Sequence, residues 1–153
     1  MGIKIAYIEN QKNAAIDALC ADYIKKTKGI FSFQLIKLPA AKQSDPDKQR
    51  EIETSSFIKT ARELDQIILL DEKGKQTSSV EFSHYLEKIL ANSRGDFIFC
   101  IGGAYGFTDE AKFKYPSYRM SNWVFPHQIA RLILCEQIYR AFQISQGGKY
   151  HHF

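Results

Sequence analysis

Apolar and polar residues follow two different periods along this chain, and each change of period predicts the boundary of an element. Short apolar runs rich in β-branched and aromatic residues predict strands at residues 3–8, 31–38, 67–70 and 97–101. Apolar residues three and four apart predict helices over residues 12–28 and 48–63, and another from Ser78 through Leu90. Because strands and helices alternate several times, the pattern predicts an α/β fold with a mostly parallel sheet flanked by helices.

Local signals predict where several elements begin and end. A polar stretch with two prolines predicts a mobile loop over residues 39–47, and residues 71–74 predict a turn directly after a strand. Ser78, with Glu81 three residues later, forms a capping-box pattern that opens a helix. Further along, the pattern predicts a short helix near residues 109–114 and a last strand over residues 118–124.

The predicted final helix, residues 127–145, is apolar on two faces. One face carries Leu134, Ile138, Ala141 and Phe142, and the other carries Ile129, Ile133 and Ile144. A helix that packs only on its own sheet needs a single apolar stripe. We therefore expect one face to pack on the sheet and the other on a second copy of the chain, which makes a homodimer.

Length and composition narrow the class of protein. The 153 residues are 44% hydrophobic and 25% charged, which is ordinary for one globular domain, and residues 1–153 are expected to form a single domain. No apolar run approaches the ~20 residues of a membrane span, and the N-terminus lacks the features of a signal peptide. A cytoplasmic protein without membrane contact is expected. The net charge of +4 is compatible with a polyanionic partner but does not require one.

The cysteines and histidines do not form a pattern typical of a metal site. Cys20, Cys100 and Cys135 are far apart and include no CxxC pair, so we expect buried apolar side chains rather than disulfides or zinc ligands. His151 and His152 are adjacent, but no third ligand stands at a suitable spacing. No metal is therefore expected.

A glycine-rich turn, Gly102-Gly103-Ala104-Tyr105-Gly106, follows the apolar run that ends at Ile101. It matches neither GxGxxG nor a P-loop, and no acidic residue ends a strand about 20 positions later. A nucleotide- or nicotinamide-dependent enzyme is therefore disfavoured. Two interpretations stay open: a tight turn that needs a positive φ, or a backbone kept small so that a ligand can approach.

The start of the final helix carries two basic side chains on one face. His127 follows Pro126, a favoured residue at a helix start, and Arg131 stands one turn later. The free N–H groups and the dipole of a helix N-terminus favour a phosphate or carboxylate there. The alternative is a capping histidine beside a solvated arginine.

The end of the same helix and the tail combine aromatic and charged residues. Glu136 and Arg140 form an i,i+4 pair, which is usually a modest surface bridge. Tyr139 beside them can stack on a base or simply pack. The tail, residues 149–153, contains a lysine, two aromatic residues and two histidines. It is either a functional segment or a frayed terminus.

Taken together, these segments closely resemble one family, the ribosomal RNA large subunit methyltransferase H family of the SPOUT methyltransferases. The resemblance spans the chain in length and element order, and it is most specific from Ile101 to the end. The matching segments are Ile101-Gly102-Gly103, Gly106, Phe125-Pro126-His127-Gln128, Arg131, Glu136-Gln137, Tyr139-Arg140-Ala141 and Tyr150-His151.

The resemblance implies a fold, a cofactor and a substrate that the residue patterns do not show. SPOUT proteins thread the C-terminal segment through a loop to form a trefoil knot, although connection rules treat knots as nearly absent. The family members are homodimers and use S-adenosylmethionine, bent within the knot. The implied reaction is methylation of N3 of a pseudouridine in the helix-69 loop of 23S rRNA, on the assembled ribosome.

The resemblance also assigns residues to the site. The cofactor is expected among Leu70, Gly102, Gly103 and the loop formed by Met120, Ser121, Asn122, Trp123, Val124 and Phe125. The groups expected to act on the substrate are His127, Arg131, Tyr150 and His151. Arg131 suits a phosphate contact, whereas Tyr150 and His151 would hold the target base, and the tail of one subunit would complete the site of the other.

The chain departs from the family pattern at a few positions. Ala104-Tyr105 replaces the usual proline or serine followed by glutamate or asparagine, and the 120–124 loop lacks the usual Leu-Ser start. Lys149 stands where proline is common, and His152-Phe153 replaces a basic residue. These changes are the support for an alternative hypothesis, a knotted module that binds RNA or the ribosome without catalysis.

Overall fold

Five strands and five helices alternate along the part of the chain that the computed structural model describes, residues 2–9 and 11–152. Their order is β1 (Gly2–Glu9), α1 (Ala14–Lys26), β2 (Ser32–Pro39), α2 (Pro46–Ile58), β3 (Gln66–Gln76), α3 (Ser79–Asn92), β4 (Phe97–Ile101), α4 (Asp109–Lys114), β5 (Ser117–Arg119) and α5 (His127–Ser145). Met1, Asn10 and Phe153, the last named in the sequence analysis, lie outside the described residues.

The five strands form one parallel sheet in the order β2-β1-β4-β3-β5. Its central strand, β4, pairs with β1 from Ile3 opposite Phe97 and with β3 from Gln66 opposite Phe97. The prediction of an α/β fold with a parallel sheet flanked by helices is confirmed. The carboxyl ends of β1 and β4 lie side by side, and in such sheets ligands bind at this edge.

The alternation of side chains along β4 divides the core into two layers. Phe97 and Phe99 point to the layer formed by α1, α3 and α5, whereas Ile98 and Cys100 point to the layer formed by α2 and α4. Both faces of the sheet are therefore covered, which explains why β4 is apolar at every position. The expectation of three buried cysteines without disulfides is confirmed.

Two predictions at the edge of the sheet are wrong, those of the turn over residues 71–74 and of the last strand over residues 118–124. Residues 71–74 do not form a turn, because β3 continues to Gln76 and pairs with β5 after an irregularity between Leu70 and Lys75. Gly74 permits this approach, since a Cβ there would lie 2.6 Å from the backbone of Tyr118. The last strand is Ser117–Arg119 rather than residues 118–124. Pairing between distant segments overrides local turn signals.

Capping hydrogen bonds mark where helices α2 and α3 begin. α2 starts earlier than residue 48, with Asp45 accepting a hydrogen bond from the Asp47 N–H at 3.0 Å, and it ends at Ile58 rather than residue 63. The capping box at the start of α3 is confirmed, with both hydrogen bonds between Ser78 and Glu81 present. Within the described residues, none of the helices is long and apolar enough to cross a membrane.

Candidate active site

An open cavity of about 430 Å³ lies at the carboxyl edge of the sheet, beside the ends of β4 and β5. Its walls are the glycine-rich turn, the segment 118–125, part of β3 and the first residues of α5. The lining residues that the sequence analysis named are Leu70, Gly102, Gly103, Met120, Ser121, Trp123, Val124, Phe125 and His127. Asn122 is not among the lining residues.

Glycine is required in this turn for two reasons: the curvature of the backbone, and neighbouring protein atoms that leave little room for a side chain. Gly106 has a φ of +69°, and its N–H donates to the Gly103 carbonyl at 3.1 Å, so one of the two open interpretations, the tight turn, holds for this residue. A Cβ on Gly102 would lie 3.1 Å from the Phe107 ring. A side chain at Gly102 would therefore press on the core behind the cavity.

α2 braces this turn from behind with three residues of one helix face. A Cβ on Gly103 would lie 2.4 Å from Glu53 Oε1, so the missing side chain makes room for a buried carboxylate. The Arg50 side chain donates from Nε to the Tyr105 carbonyl at 2.9 Å, and Thr54 Oγ1 accepts from the N–H of Thr108, two residues after the turn, at 3.2 Å. The turn is thus held in one shape.

The sequence analysis did not find this brace. Arg50, Glu53 and Thr54 have helical spacing on a helix that is polar on most sides, which is ordinarily typical of a solvated face. Glu53 is only 1% exposed and accepts a hydrogen bond from Ala41 N–H at 3.4 Å. The one available signal in the sequence was Glu53, an acidic residue with apolar residues at helical spacing around it. That signal does not show that Glu53 packs against Gly103.

The opposite wall of the cavity is far more exposed. Trp123 and Val124 are 81% and 72% exposed, and the Trp123 N–H donates to Ser121 Oγ at 3.0 Å. Regular structure is absent from residues 121–125, which belong to the described part of the chain. Large apolar side chains in water at the mouth of a cavity are typical of a binding surface.

Charged side chains of both signs line the cavity, and the sequence analysis had not singled them out. Asp71 lies 3.6 Å from the Lys112 ammonium. Arg119 donates to Gln76 at 3.0 Å, while its buried Nε has no hydrogen-bond partner among the described residues. Because β3 extends past Leu70, it brings Asp71 and Glu72 to this wall. The cavity can thus accept a ligand that carries both a cation and an anion.

His127 and Arg131 occupy different environments although they share a helix face. His127 is the first residue of α5 and lines the cavity. Arg131 is 1% exposed, donates to Asp17 Oδ1 at 2.8 Å and stacks on the Tyr7 ring at 4.2 Å. It lines an adjoining cavity of about 330 Å³ beside the end of β1, which His127 lines as well.

The buried environment of Arg131 opposes the expected role as a direct phosphate contact. Burial by itself lowers the pKa of the guanidinium, but Tyr7, Cys20 and Asp17 outweigh it and raise that pKa, so the charge persists. Its Nε and Nη1 have no hydrogen-bond partner among the described residues. In this geometry Arg131 joins α5 to β1 and α1, so the solvated-arginine alternative is wrong, while a phosphate contact of Arg131 stays a prediction.

Tyr150 and His151 belong to the tail that follows α5, contact the second half of that helix, and do not line the cavity of their own chain. The Tyr150 hydroxyl donates to Glu136 Oε1 at 3.1 Å, and its ring lies 4.8 Å from the Arg140 guanidinium carbon. Arg140 Nη1 is 3.1 Å from His151 Nδ1. Arg140 follows His127 by thirteen residues, so about 20 Å of helix axis separates Arg140 from His127. Within one chain the predicted catalytic residues are split.

The environment of Tyr150 keeps its hydroxyl protonated. Burial raises the pKa of the phenol most, and hydrogen bonding with Tyr23 and the negative charge of Glu136 raise it further. Tyr150 is therefore a hydrogen-bond donor at neutral pH and not a base. Within the described residues, no group of three histidine, cysteine, aspartate or glutamate side chains is placed to hold a metal ion.

Comparison with known proteins matches this architecture to one family. Residues 1–151 match the family described as predicted SPOUT methyltransferase. A ribosomal RNA large subunit methyltransferase H of Bacteroides fragilis is 42% identical over 135 residues, covering 86% of each chain. The protein of the same name in Cytophaga hutchinsonii is 35% identical, covering 99% of this chain and all of its own. The solved structure of a probable methylase family protein from Haemophilus influenzae has a similar fold, with a TM-score of 0.51, 15% identity, and coverage of 95% of this chain and 66% of that one.

Proposed function

Because the chain belongs to the SPOUT methyltransferase family, we propose that it methylates ribosomal RNA with S-adenosylmethionine as the methyl donor. The specific reaction proposed is transfer to N3 of a pseudouridine in the helix-69 loop of 23S rRNA, on the assembled ribosome. The relatives named ribosomal RNA large subunit methyltransferase H support the RNA substrate. The observation that carries the proposal is the cavity formed by the glycine-rich turn and residues 118–125. A ribosomal substrate places the reaction in the cytoplasm.

The cavity fits this cofactor in size and in the chemistry of its lining. About 430 Å³ lies within the range of small-molecule sites. Leu70, Gly102, Gly103 and residues 120–125 would hold the adenosine, with backbone groups of the exposed loop reading the base. Asp71 and Glu72 suit a positively charged sulfur and amine, while Lys112 and Arg119 suit a carboxylate.

The protein has two tasks once the cofactor is bound. S-adenosylmethionine supplies a methyl group already activated by the positive sulfur. The chain must then hold the target nitrogen in line with that methyl group and exclude water. It must also accept the N3 proton, and His127, a residue type suited to proton transfer near neutral pH, lies at the cavity.

The remaining predicted groups reach the reaction from a second copy of the chain. In this proposal Tyr150 and His151 of one subunit hold the target base at the cavity of the other, because in their own chain they contact Glu136 and Arg140, about 14 to 20 Å along the helix axis from His127. The outer face of α5 supports the homodimer: Ile129 is 38% exposed, and Ile133 and Ile144 are half-buried. The trefoil knot stays a prediction.

Methyl transfer to ribosomes tests the proposal directly. Ribosomes that lack the modification are incubated with the purified protein and S-adenosylmethionine, and 23S rRNA is mapped by mass spectrometry. One added methyl group on the helix-69 pseudouridine is expected, at a rate reduced at least about a hundredfold in His127→Asn, which keeps the fold but removes the base. Cofactor binding without transfer would point to another RNA, and absence of cofactor binding would favour the non-catalytic module.

A further inference from the structure

A row of three tyrosines crosses from α1 over α5 to the tail. The rings of Tyr23 and Tyr139 are 5.8 Å apart, and those of Tyr139 and Tyr150 are 4.9 Å apart. Lys26 Nζ lies 5.1 Å and 5.4 Å from the centroids of Tyr23 and Tyr139. All three tyrosines are half-buried and the lysine is exposed, so each ring keeps part of its surface in water.

The charge around this row is positive. Lys25 and Lys26 occupy the last turn of α1, Lys28 follows, and Lys149 precedes Tyr150; all four side chains are exposed. Lys25 and Lys28 also line an adjoining groove of about 710 Å³ at the start of β2. The same surface would therefore attract a polyanion.

The nearby carboxylates do not cancel this charge. Asp22 is exposed on α1, and Glu136 is engaged by the Arg140 guanidinium, the Tyr150 hydroxyl and the Gln137 amide. The dipole of α1 explains lysines in its last turn. It does not explain a partly exposed row of rings that continues onto a second helix.

We propose that Tyr23, Lys26, Tyr139, Tyr150 and Lys149, here called the tyrosine-lysine surface, bind single-stranded RNA. Bases stack on the exposed parts of Tyr23 and Tyr139, and the ammonium groups of Lys26 and Lys149 contact phosphates. The inference rests on the proposed function for the identity of the RNA as substrate. It deepens that function by giving α1 a role in recognition that is separate from catalysis.

The position of Tyr150 relates the tyrosine-lysine surface to the path that the RNA substrate would follow. Tyr150 is assigned above to the target base in the partner's cavity, and its ring contacts Tyr139. Nucleotides that flank the target base would leave the cavity along Tyr139 and reach Tyr23 and Lys26. Arg140 stacks on Tyr150 at that point, with its charge paired to Glu136.

RNA binding without cofactor tests this inference apart from methylation. The full-length protein is titrated with a fluorescent uridine oligonucleotide over a series of salt concentrations, and also with ribosomes. Tyr23→Leu removes the ring but keeps an apolar side chain, and the affinity for the oligonucleotide is expected to fall roughly tenfold. Lys26→Ala is expected to weaken binding and to reduce the salt slope by about 0.7. Lys59→Ala, which replaces an exposed lysine directly after α2, is the matched control and should change neither.

The outcomes separate the two proposals. Weaker oligonucleotide binding in Tyr23→Leu and Lys26→Ala, with an unchanged cofactor Kd and dimer, supports the surface even if the wild type transfers no methyl group. Wild-type affinity in both variants overturns it, as does a wild type that binds neither the oligonucleotide nor ribosomes. If the two variants are monomeric by analytical ultracentrifugation, the surface is a protein contact and the inference is also overturned.

Discussion

The two ends of α5 both carry an arginine in an ion pair, yet the two pairs lie in different environments. Arg131, near the cavity, is 1% exposed and is enclosed by Tyr7 and Asp17 from two other elements. Arg140 is 25% exposed, pairs with Glu136 one turn away, and contacts the tail. Arg131 connects elements of the core although its partner Asp17 is 36% exposed, whereas Arg140 and Glu136 hold the tail, whose Tyr150 and His151 are proposed to contact the substrate. This difference predicts stability effects at one end and functional effects at the other.

The largest expected effect comes from mixing two inactive variants. His127→Asn and Tyr150→Phe should each lose methyl transfer, because one removes the proton acceptor and the other the hydroxyl that holds the target base. In mixed dimers one of two sites contains both wild-type residues, so a fully exchanged equimolar mixture should recover about a quarter of wild-type activity. The measurement is methyl incorporation after subunit exchange.

A tagged copy of His127→Asn mixed with its untagged form is the control and should stay inactive. Capture of the tag confirms that mixed dimers have formed. An inactive mixture of His127→Asn and Tyr150→Phe, despite captured mixed dimers, would show that each site belongs to a single chain.

Replacement of Arg131 should cost stability. Arg131→Met keeps the length of the side chain but removes the hydrogen bond to Asp17 and the stack on the Tyr7 ring, and loss of about 2 kcal/mol in the free energy of unfolding is expected. Arg140→Met, the matched variant at the other end of the helix, should cost less than about 1 kcal/mol while lowering methyl transfer. Urea unfolding compares the two. Equal losses of stability would contradict the contrast between the two ends.

The contact between α2 and the glycine-rich turn allows a test with a smaller expected effect. Arg50→Ala removes the hydrogen bond to the Tyr105 carbonyl from a half-exposed side chain, so the fold should lose only about 1 kcal/mol. The turn would then sample other shapes, and the Kd for S-adenosylmethionine should rise several-fold by calorimetry. Lys48→Ala on the same helix should leave that Kd unchanged. An unchanged Kd in Arg50→Ala would mean that the turn keeps its shape without α2.

The smallest expected effect is a pH dependence of the protein's stability that arises from Tyr150 in the tail. The pKa of Tyr150 is raised from its ordinary value of 10.0, mainly by burial. The neutral phenol is therefore favoured in the folded state, and its contribution to stability is complete below pH 10 and declines as pH rises above it. The Tm of the wild type should fall above about pH 10, and the fall should be smaller in Tyr150→Phe. Identical Tm profiles would place Tyr150 in solvent.

Local chemistry made several parts of the fold predictable. The apolar run of β4 and the capping box at Ser78 depend on residues close in the chain, and both are confirmed. The inner face of α5 is confirmed as well, since Leu134, Ile138 and Ala141 are buried against the sheet. In each case neighbours within a few positions determine the outcome.

Long-range contacts account for what the patterns missed. The extension of β3 depends on pairing with β5, and the glycine at Gly103 depends on Glu53, fifty positions earlier in the chain. Arg131 has the sequence context of a surface arginine, but Asp17 and Tyr7 enclose it. None of these partners has a fixed spacing, so periodicity and motif could not identify them.

The amino-acid sequence alone was enough to indicate the α/β class, because that class depends on periodicity. Its ordered motifs indicated the family and, through the resemblance, part of the cavity lining. The tertiary structure then determined which residues are in contact. It placed His127 at the cavity, buried Arg131 in the core, and packed Tyr150 and His151 against the second half of α5, away from that cavity. The physical reason is that hydrophobic burial and strand pairing act between residues distant in the chain, and the distance between two side chains is a property of that packing.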